Sequence, residues 1–441
     1  MKSKHCLVIG AGLAGLAAAF RLLNKGWTVE VLEAEKERLG GRVFTQRRVR
    51  KGLPPLDYEL GGEWIGTSHT RMKQLCSQFN LAPLRRHRYS FAFVEKGVTS
   101  KFCSPGTLPF ARSSNSAFNK FMARVPGFNQ CEQQALDRID WWTKVRELGF
   151  DQKDLLRRDL MDSTDFGESI RHTSGFVGAT EYSGSNQTDE MDYKVPGGND
   201  RLIYAFAAAI KKQKGRIYSA CEAKRIDQAN GQVTVTARSG KKFTGDACIC
   251  AIPASQLHRI RWHPALPPEQ LSAARELQYA RIIKTAFVFP QRFWPKFSRS
   301  GFSLFTSQAS DFCFDSTFRQ EGPEGIICSY AIGDKADDLA DEPGASLAKW
   351  ISEDLLDAVL PGKSTDREKL RGSFLKRQPW QREKCIGGAY AFYRPGQWFH
   401  VRPTLLRPHQ RVLFAGEHLS EAWQGFMEGA VETGEAAADV L

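Results

Sequence analysis

Short apolar runs of strand length and longer windows with helical spacing alternate along this chain of 441 residues. Near the start, "CLVI" at 6–9 predicts a buried strand and "LAGLAAAFRLLNKG" a helix closed by Gly26. "VEVLEAE" then predicts a second strand with Glu33 at its end. Residues 191–283 add a glycine turn, a helix ("LIYAFAAAI"), two strands around Asn230-Gly231 and a third run ending at Pro253. The stretch 80–190 is mainly helical in pattern ("CEQQALDRIDWWTKVREL", "QKDLLRRDLM"), whereas 284–405 supplies strands and the helix "SLAKWISEDLLDAVL".

One run carries an oddity. In "RIIKTAFVF", residues 281–289, Ile282, Lys284, Ala286 and Val288 share one face of a strand and Ile283, Thr285, Phe287 and Phe289 the other. Neither face suits water. Lys284 therefore either sits near a sheet edge and extends its stem to solvent, or is buried against a partner.

Length and composition narrow the classes. A chain this long with 41% hydrophobic residues calls for two closely packed domains. No apolar run is long enough to span a bilayer, so a soluble, cytoplasmic enzyme is expected, as a monomer or homodimer. The ten cysteines form no CxxC pair and the nine histidines no HExxH motif, which suggests reduced thiols and no metal site. A net charge of +13 would suit an anionic partner, but the basic groups at 47–51, 85–88 and 211–214 are far apart and no nucleic-acid module accompanies them. A solvated basic surface is the simpler reading, with no nucleic acid as partner.

The candidate chemistry starts at Gly10, Gly12 and Gly15, a GxGxxG that follows a strand and opens a helix. Gly10 permits the turn, Gly12 lets backbone approach a pyrophosphate, and Gly15 lets helix and strand pack closely. Glu33 accepts hydrogen bonds from a ribose and repels a 2′-phosphate, favouring NAD or FAD over NADP. Gly40, Gly41 and Arg42 add a second close-approach turn with a fixed cation.

At "LGGRVFT" and "ELGGEWIG" the sequence resembles the flavin-containing amine oxidases: monoamine, polyamine and L-amino-acid oxidases. The likeness continues through "YKVPGGNDRLIYAFAAAI", the Lys284 strand, "PWQREKCIGGAYAFYRPG" and "VLFAGEHLSEAWQGFMEGAVETGEAAADVL". It implies an α/β protein: a discontinuous Rossmann-type FAD-binding domain (1–80, 191–283, 406–441) and an α+β substrate-binding domain (81–190, 284–405). The resemblance places Gly40, Gly41 and Arg42 on the FAD phosphates and Gly62, Glu63 and Trp64 along the flavin. It puts Ala223 at the adenine, Trp380 against the ring system, and Gly416 and Glu417 by the ribityl chain. Phe426 and Met427 then open a helix toward the pyrimidine. Lys284 would hold a water at flavin N5, and Tyr390 and Phe426 would form an aromatic substrate cage. Two positions depart from the family pattern: Ala389 stands where mitochondrial relatives carry the cysteine linked to FAD, implying a non-covalent cofactor, and Phe426 replaces a frequent tyrosine.

The activity implied is hydride transfer from the amine-bearing carbon to FAD, with dioxygen as acceptor and hydrogen peroxide as product. Polyamines or primary monoamines are the expected substrates, with Glu63 and Trp423 as substrate-binding candidates and Glu181 and Asp315 as further acids. Arg71 does not discriminate, because monoamine oxidases carry a similar arginine. The alternatives are an L-amino-acid oxidase, a carotenoid-type desaturase, or a non-catalytic flavoprotein binding an anionic partner.

Overall fold

The first strand, β1 (His5–Ile9), leads into α1 (Leu13–Asn24) and then β2 (Thr28–Leu32). The protein is seen here in a computed structural model that describes residues 4–85, 90–95, 98–99, 103, 110–184, 191–294, 302–360 and 367–441. The strands β1 and β2 pair in parallel with Ala247–Cys250, Val412–Phe414 and Arg216–Tyr218 in one five-stranded sheet. This arrangement is the doubly wound sheet that the βαβ pattern predicts. α1 is apolar almost all round and buried along most of its length, because it lies between this sheet and the helices Asp200–Lys212 and Met427–Val440.

The second large sheet has seven strands in the order Ser373–Pro379, Ile282–Phe289, Gly325–Ile332, Phe312–Asp315, Phe302–Thr306, Ser90–Glu95 and Val98–Thr99. It is antiparallel apart from the pairing of Phe302–Thr306 with Ser90–Glu95. All eight residues of Ile282–Phe289 are buried, and the strand runs one place in from the sheet edge. The edge reading of Lys284 is therefore overturned: strands flank it on both sides, with Tyr330 and Gln378 as its cross-strand partners. The helices Arg112–Arg124, Gln130–Asp137, Trp141–Glu147, Gln152–Phe166 and Gly175–Gly184 form the helical stretch. The side chains of Asp140 and Asp151 cap the third and fourth of these by accepting backbone N–H bonds.

The run that ends at Pro253 serves two sheets. Lys242–Gly245 closes a four-stranded sheet, and Ala247–Cys250 joins the parallel one. The switch falls at Asp246, whose Oδ2 accepts the His5 N–H at 2.8 Å and whose own N–H donates to the His5 carbonyl at 2.7 Å. Among the described residues no helix is long and apolar enough to cross a membrane, and no group of side chains could hold a metal. Of the basic clusters, Arg47 pairs with Asp200 at 2.6 Å and Arg48 with Glu324 at 3.0 Å, while residues 86–88 lie outside the described residues.

Candidate active site

A single cavity runs from the end of β2 across the parallel sheet to the face of the seven-stranded sheet. At its first end the wall is mostly backbone. Gly10 leaves β1 at φ +99°, a left-handed value that glycine adopts without strain. A Cβ on Gly15 would stand 1.9 Å from the Gly10 carbonyl oxygen, so the turn and α1 fit together only because Gly15 lacks a side chain. Gly12 caps α1 and borders the cavity, with Gly40 and Gly41 beside it. Glu33 is fixed by two backbone donors, Ala11 N–H at 2.7 Å and Glu35 N–H at 2.8 Å. Burial raises its pKa, and those two hydrogen bonds work against the rise. Ala223, Arg259 and Cys385 complete this end.

Next along the wall, Arg42 donates to Glu417 Oε1 and to the Ala389 carbonyl, both at 2.6 Å. Glu417 is buried, and it also accepts the N–H groups of Ala391 (3.2 Å) and Gly425 (2.9 Å). One carboxylate thus holds together three segments that are distant in sequence. Gly416 borders the cavity beside it.

The far end is built from side chains. Gly62, Glu63, Trp64, Lys284, Trp380, Ala389, Tyr390, Phe426 and Met427 all line it. Trp380 is buried and its indole N–H donates to the Leu60 carbonyl at 2.8 Å, which sets the ring's orientation. The Tyr390 ring lies against Gly425, the residue before Phe426, so both members of the expected cage face one space. Its hydroxyl is 2.7 Å from the Tyr330 hydroxyl, and both reach the Thr164 carbonyl, at 3.1 and 3.2 Å. Burial raises the Tyr390 pKa well above the ordinary phenol value, and Tyr330, Asp165 and Glu181 add to the rise.

The structure distributes the other candidates unevenly. Glu63 is engaged by two lysines, Lys284 at 2.8 Å and Lys194 at 2.6 Å, and by the Ser316 hydroxyl at 3.0 Å. Trp423 does not line the cavity; it packs edge-on to Phe426 at 6.0 Å and to the buried His69 at 4.8 Å, one layer behind the wall. Its indole is thereby part of the backing of Phe426. Asp315 lies off the wall too, accepting from Trp294 Nε1 and Thr317, and Arg71 is taken up by Glu435 at 2.5 Å. Glu181 does face the cavity.

Sequence reasoning missed Tyr330, Asp165, Lys194 and His69. The His69 Nδ1 accepts the Gly66 N–H at 2.9 Å, so the ring's proton sits on Nε2 beside Phe426 and Trp423. Burial depresses its pKa to about 4 and keeps the ring neutral. A buried lysine implied an acidic partner somewhere, the one signal that reached toward this group.

An elongated cavity with a glycine cradle at a helix N-terminus, a ribose acceptor at one end and an aromatic wall at the other fits an extended dinucleotide. Fold and site together define a dinucleotide-dependent oxidoreductase. The chain belongs to the flavin containing amine oxidoreductase family, whose family model matches residues 13–441, and its cofactor is FAD. It is 27% identical to an L-amino acid dehydrogenase of Synechocystis sp., covering 100% of this chain and 95% of that protein. It is 26% identical to the L-amino acid oxidase bordonein-L of Crotalus durissus terrificus, over 99% of this chain and 86% of that one. Among solved structures, a putrescine oxidase bound to putrescine superposes with TM-score 0.84 at 19% identity, covering 99% of each chain. The cyclohexylamine oxidase of Brevibacterium oxydans IH-35A gives TM-score 0.84 at 21% identity over 99% of this chain and 98% of that one.

Proposed function

We propose that this protein oxidises amines, foremost those with a second cationic group such as di- and polyamines, and primary monoamines as the simpler case. The observation that carries this reading is the pair of acids at the far end of the cavity, where Asp165, which also accepts the Tyr182 hydroxyl at 2.6 Å, and Glu181 line the wall. The lining arginines among the described residues, Arg38, Arg42 and Arg259, are each engaged by protein acceptors, at the Gly41 carbonyl, at Glu417 and at Gln256. A carboxylate substrate would want an uncommitted guanidinium there, whereas a distal ammonium wants an acid.

When bound, FAD supplies at N5 the acceptor for hydride equivalents from the amine-bearing carbon, and dioxygen is the proposed final acceptor. Tyr390 and Phe426 surround the reacting nitrogen with ring faces, which favours the neutral amine by desolvation and tolerates residual positive character. Tyr330 and the Thr164 carbonyl hold the Tyr390 ring in place through its hydroxyl. Ala389 offers no thiol, so FAD is held without a covalent bond. The same reading divides the chain into an FAD-binding part (1–80, 191–283, 406–441) and a substrate part (81–190, 284–405). The strands of the two large sheets sort between those parts, except that Ile282–Phe289 begins two residues early.

L-Amino-acid oxidation is a second reading, favoured by the curated relatives, several of which act on L-amino acids. Anaerobic stopped-flow reduction of the flavin separates the two. Fast bleaching by putrescine, spermidine or cyclohexylamine and none by L-arginine or L-phenylalanine is the expected outcome; bleaching by the amino acids alone would reverse the order of the readings.

A further inference from the structure

Lys284, expected to hold a water at the cofactor, is itself held by a carboxylate. Its ammonium donates to Glu63 Oε2 at 2.8 Å and to the Gly61 carbonyl at 3.1 Å. The other carboxylate oxygen, Oε1, accepts from Lys194 at 2.6 Å and from the Ser316 hydroxyl at 3.0 Å. Side-chain exposure falls from 21% at Lys194 to 7% at Lys284 and 1% at Glu63, so the acid is the most deeply buried member. Lys194 also donates to the Ser316 carbonyl at 2.9 Å. Both Glu63 and Lys284 border the cavity between Gly62 and Trp380.

We propose that Glu63 is a positioning residue for Lys284, clamping it as a permanent cation against the Gly61 carbonyl so that the Lys284–Glu63–Lys194 triad presents one surplus positive charge to the cofactor. A lysine buried alone sheds its proton as the medium dries; a carboxylate at hydrogen-bond distance reverses that. With two ammonium groups and one carboxylate, the triad has charge to spare. That surplus favours whichever state of the bound flavin is more negative, which is the reduced one. Lys284 is thus no general base, and Glu63 is spent on it and unavailable to a substrate ammonium.

Other ionisable groups face the same spot. Glu59 comes from the preceding strand, Leu53–Glu59, and Cys328 from the neighbouring strand of the sheet. Burial holds the Cys328 thiol up at about 12, and therefore neutral. Glu59, raised by burial to about 7, accepts from Asn199 N–H at 2.7 Å and from Thr45. Glu59 and Lys284 act on each other, so Lys284→Met also shifts the Glu59 ionisation, and the two proteins are compared above it.

The inference rests on FAD lying in this cavity and is indifferent to which amine is oxidised. Its test is therefore the midpoint potential of the bound flavin, titrated anaerobically against redox dyes with no amine present. The wild-type protein should lie above Lys284→Met by about tenfold in the reduction equilibrium, about 30 mV for a two-electron couple. That offset should not fade between about pH 8 and about pH 9.5, above the Glu59 ionisation, since the cation is present throughout. An offset of zero, or one that fades as pH rises, overturns the proposal. In the Glu63→Gln background, the offset produced by Lys284→Met should be lost at about pH 9, where an unclamped buried lysine is neutral. A full offset there shows that Lys284 keeps its charge without Glu63 and also overturns it. Should Glu63→Gln fail to load FAD, Glu63→Ala takes its place as the background in which the Lys284→Met offset should be lost at about pH 9.

Discussion

At the β1–α1–β2 end of the cavity the wall is made of Gly10, Gly12, Gly40 and Gly41, whose contribution is the absence of side chains. At the Tyr390 end it is made of rings, two acids and a clamped lysine, drawn from the helix Gln152–Phe166, the helix Gly175–Gly184, strands of the seven-stranded sheet and the loops that carry Tyr390 and Phe426. The contrast teaches where change is tolerated. A backbone wall recognises what every dinucleotide has in common and cannot accept an added atom, whereas a side-chain wall can be rewritten one residue at a time.

The contrast is broken most forcefully at Gly15. Gly15→Val places a branched side chain where even a Cβ would sit 1.9 Å from the Gly10 oxygen, so a loss of about 3 kcal/mol and a purified protein without flavin absorbance are expected. Next comes the joint between the two ends. Arg42→Met strips the buried Glu417 of its cation, costing about 3 kcal/mol in thermal unfolding, and Arg42→Met/Glu417→Gln together should recover part of that loss.

The Glu63 clamp gives a smaller effect that depends on pH. Its carboxyl is pushed down to about 2 from 4.5, chiefly by Lys194 and Lys284 overcoming the burial that would raise it. The stabilisation is complete above 4.5, where the unfolded chain is also ionised, and is lost as pH falls from 4.5 through about 2. Melting temperatures of the wild type should fall more steeply in acid than those of Glu63→Gln, by the equivalent of on the order of 2 kcal/mol. The mildest change sharpens the comparison at the substrate end. Asp165→Asn should raise the KM for putrescine about tenfold, about 1.4 kcal/mol, and leave cyclohexylamine turnover unaltered.

Legibility followed the same division. The dinucleotide end could be read from thirty-odd consecutive residues, because strand, glycines, helix and Glu33 have a fixed spacing imposed by the ligand. Lys284 stood out because a charge interrupts an apolar strand, and the family resemblance brought Tyr390, Trp380 and Phe426 forward. Nothing local marked Asp165, which reads as an ordinary polar position in "MDSTDF", or Tyr330, which reads as an alternate residue of a strand. Lys194 lies in a strand of two residues, Tyr193–Lys194, too short for any periodicity to show. These residues acquire meaning only when folding brings them to the cavity; Glu63, read either for a cationic substrate or for a local basic partner, meets Lys194 and Lys284, and no local pattern pointed to that pair.

The Arg42–Glu417 link also bears on how the chain is born. It joins residues 375 positions apart, and the helix Met427–Val440 packs so closely on α1 that a Cβ at Gly434 would lie 2.1 Å from the Ala14 oxygen. In chain order the dinucleotide motif precedes both helices that cover α1, Asp200–Lys212 and Met427–Val440, and also Glu417, the counter-ion of its phosphate-side arginine. The motif thus cannot complete its own layer when it is made, and firm cofactor capture waits on segments far downstream of the glycines that recognise it.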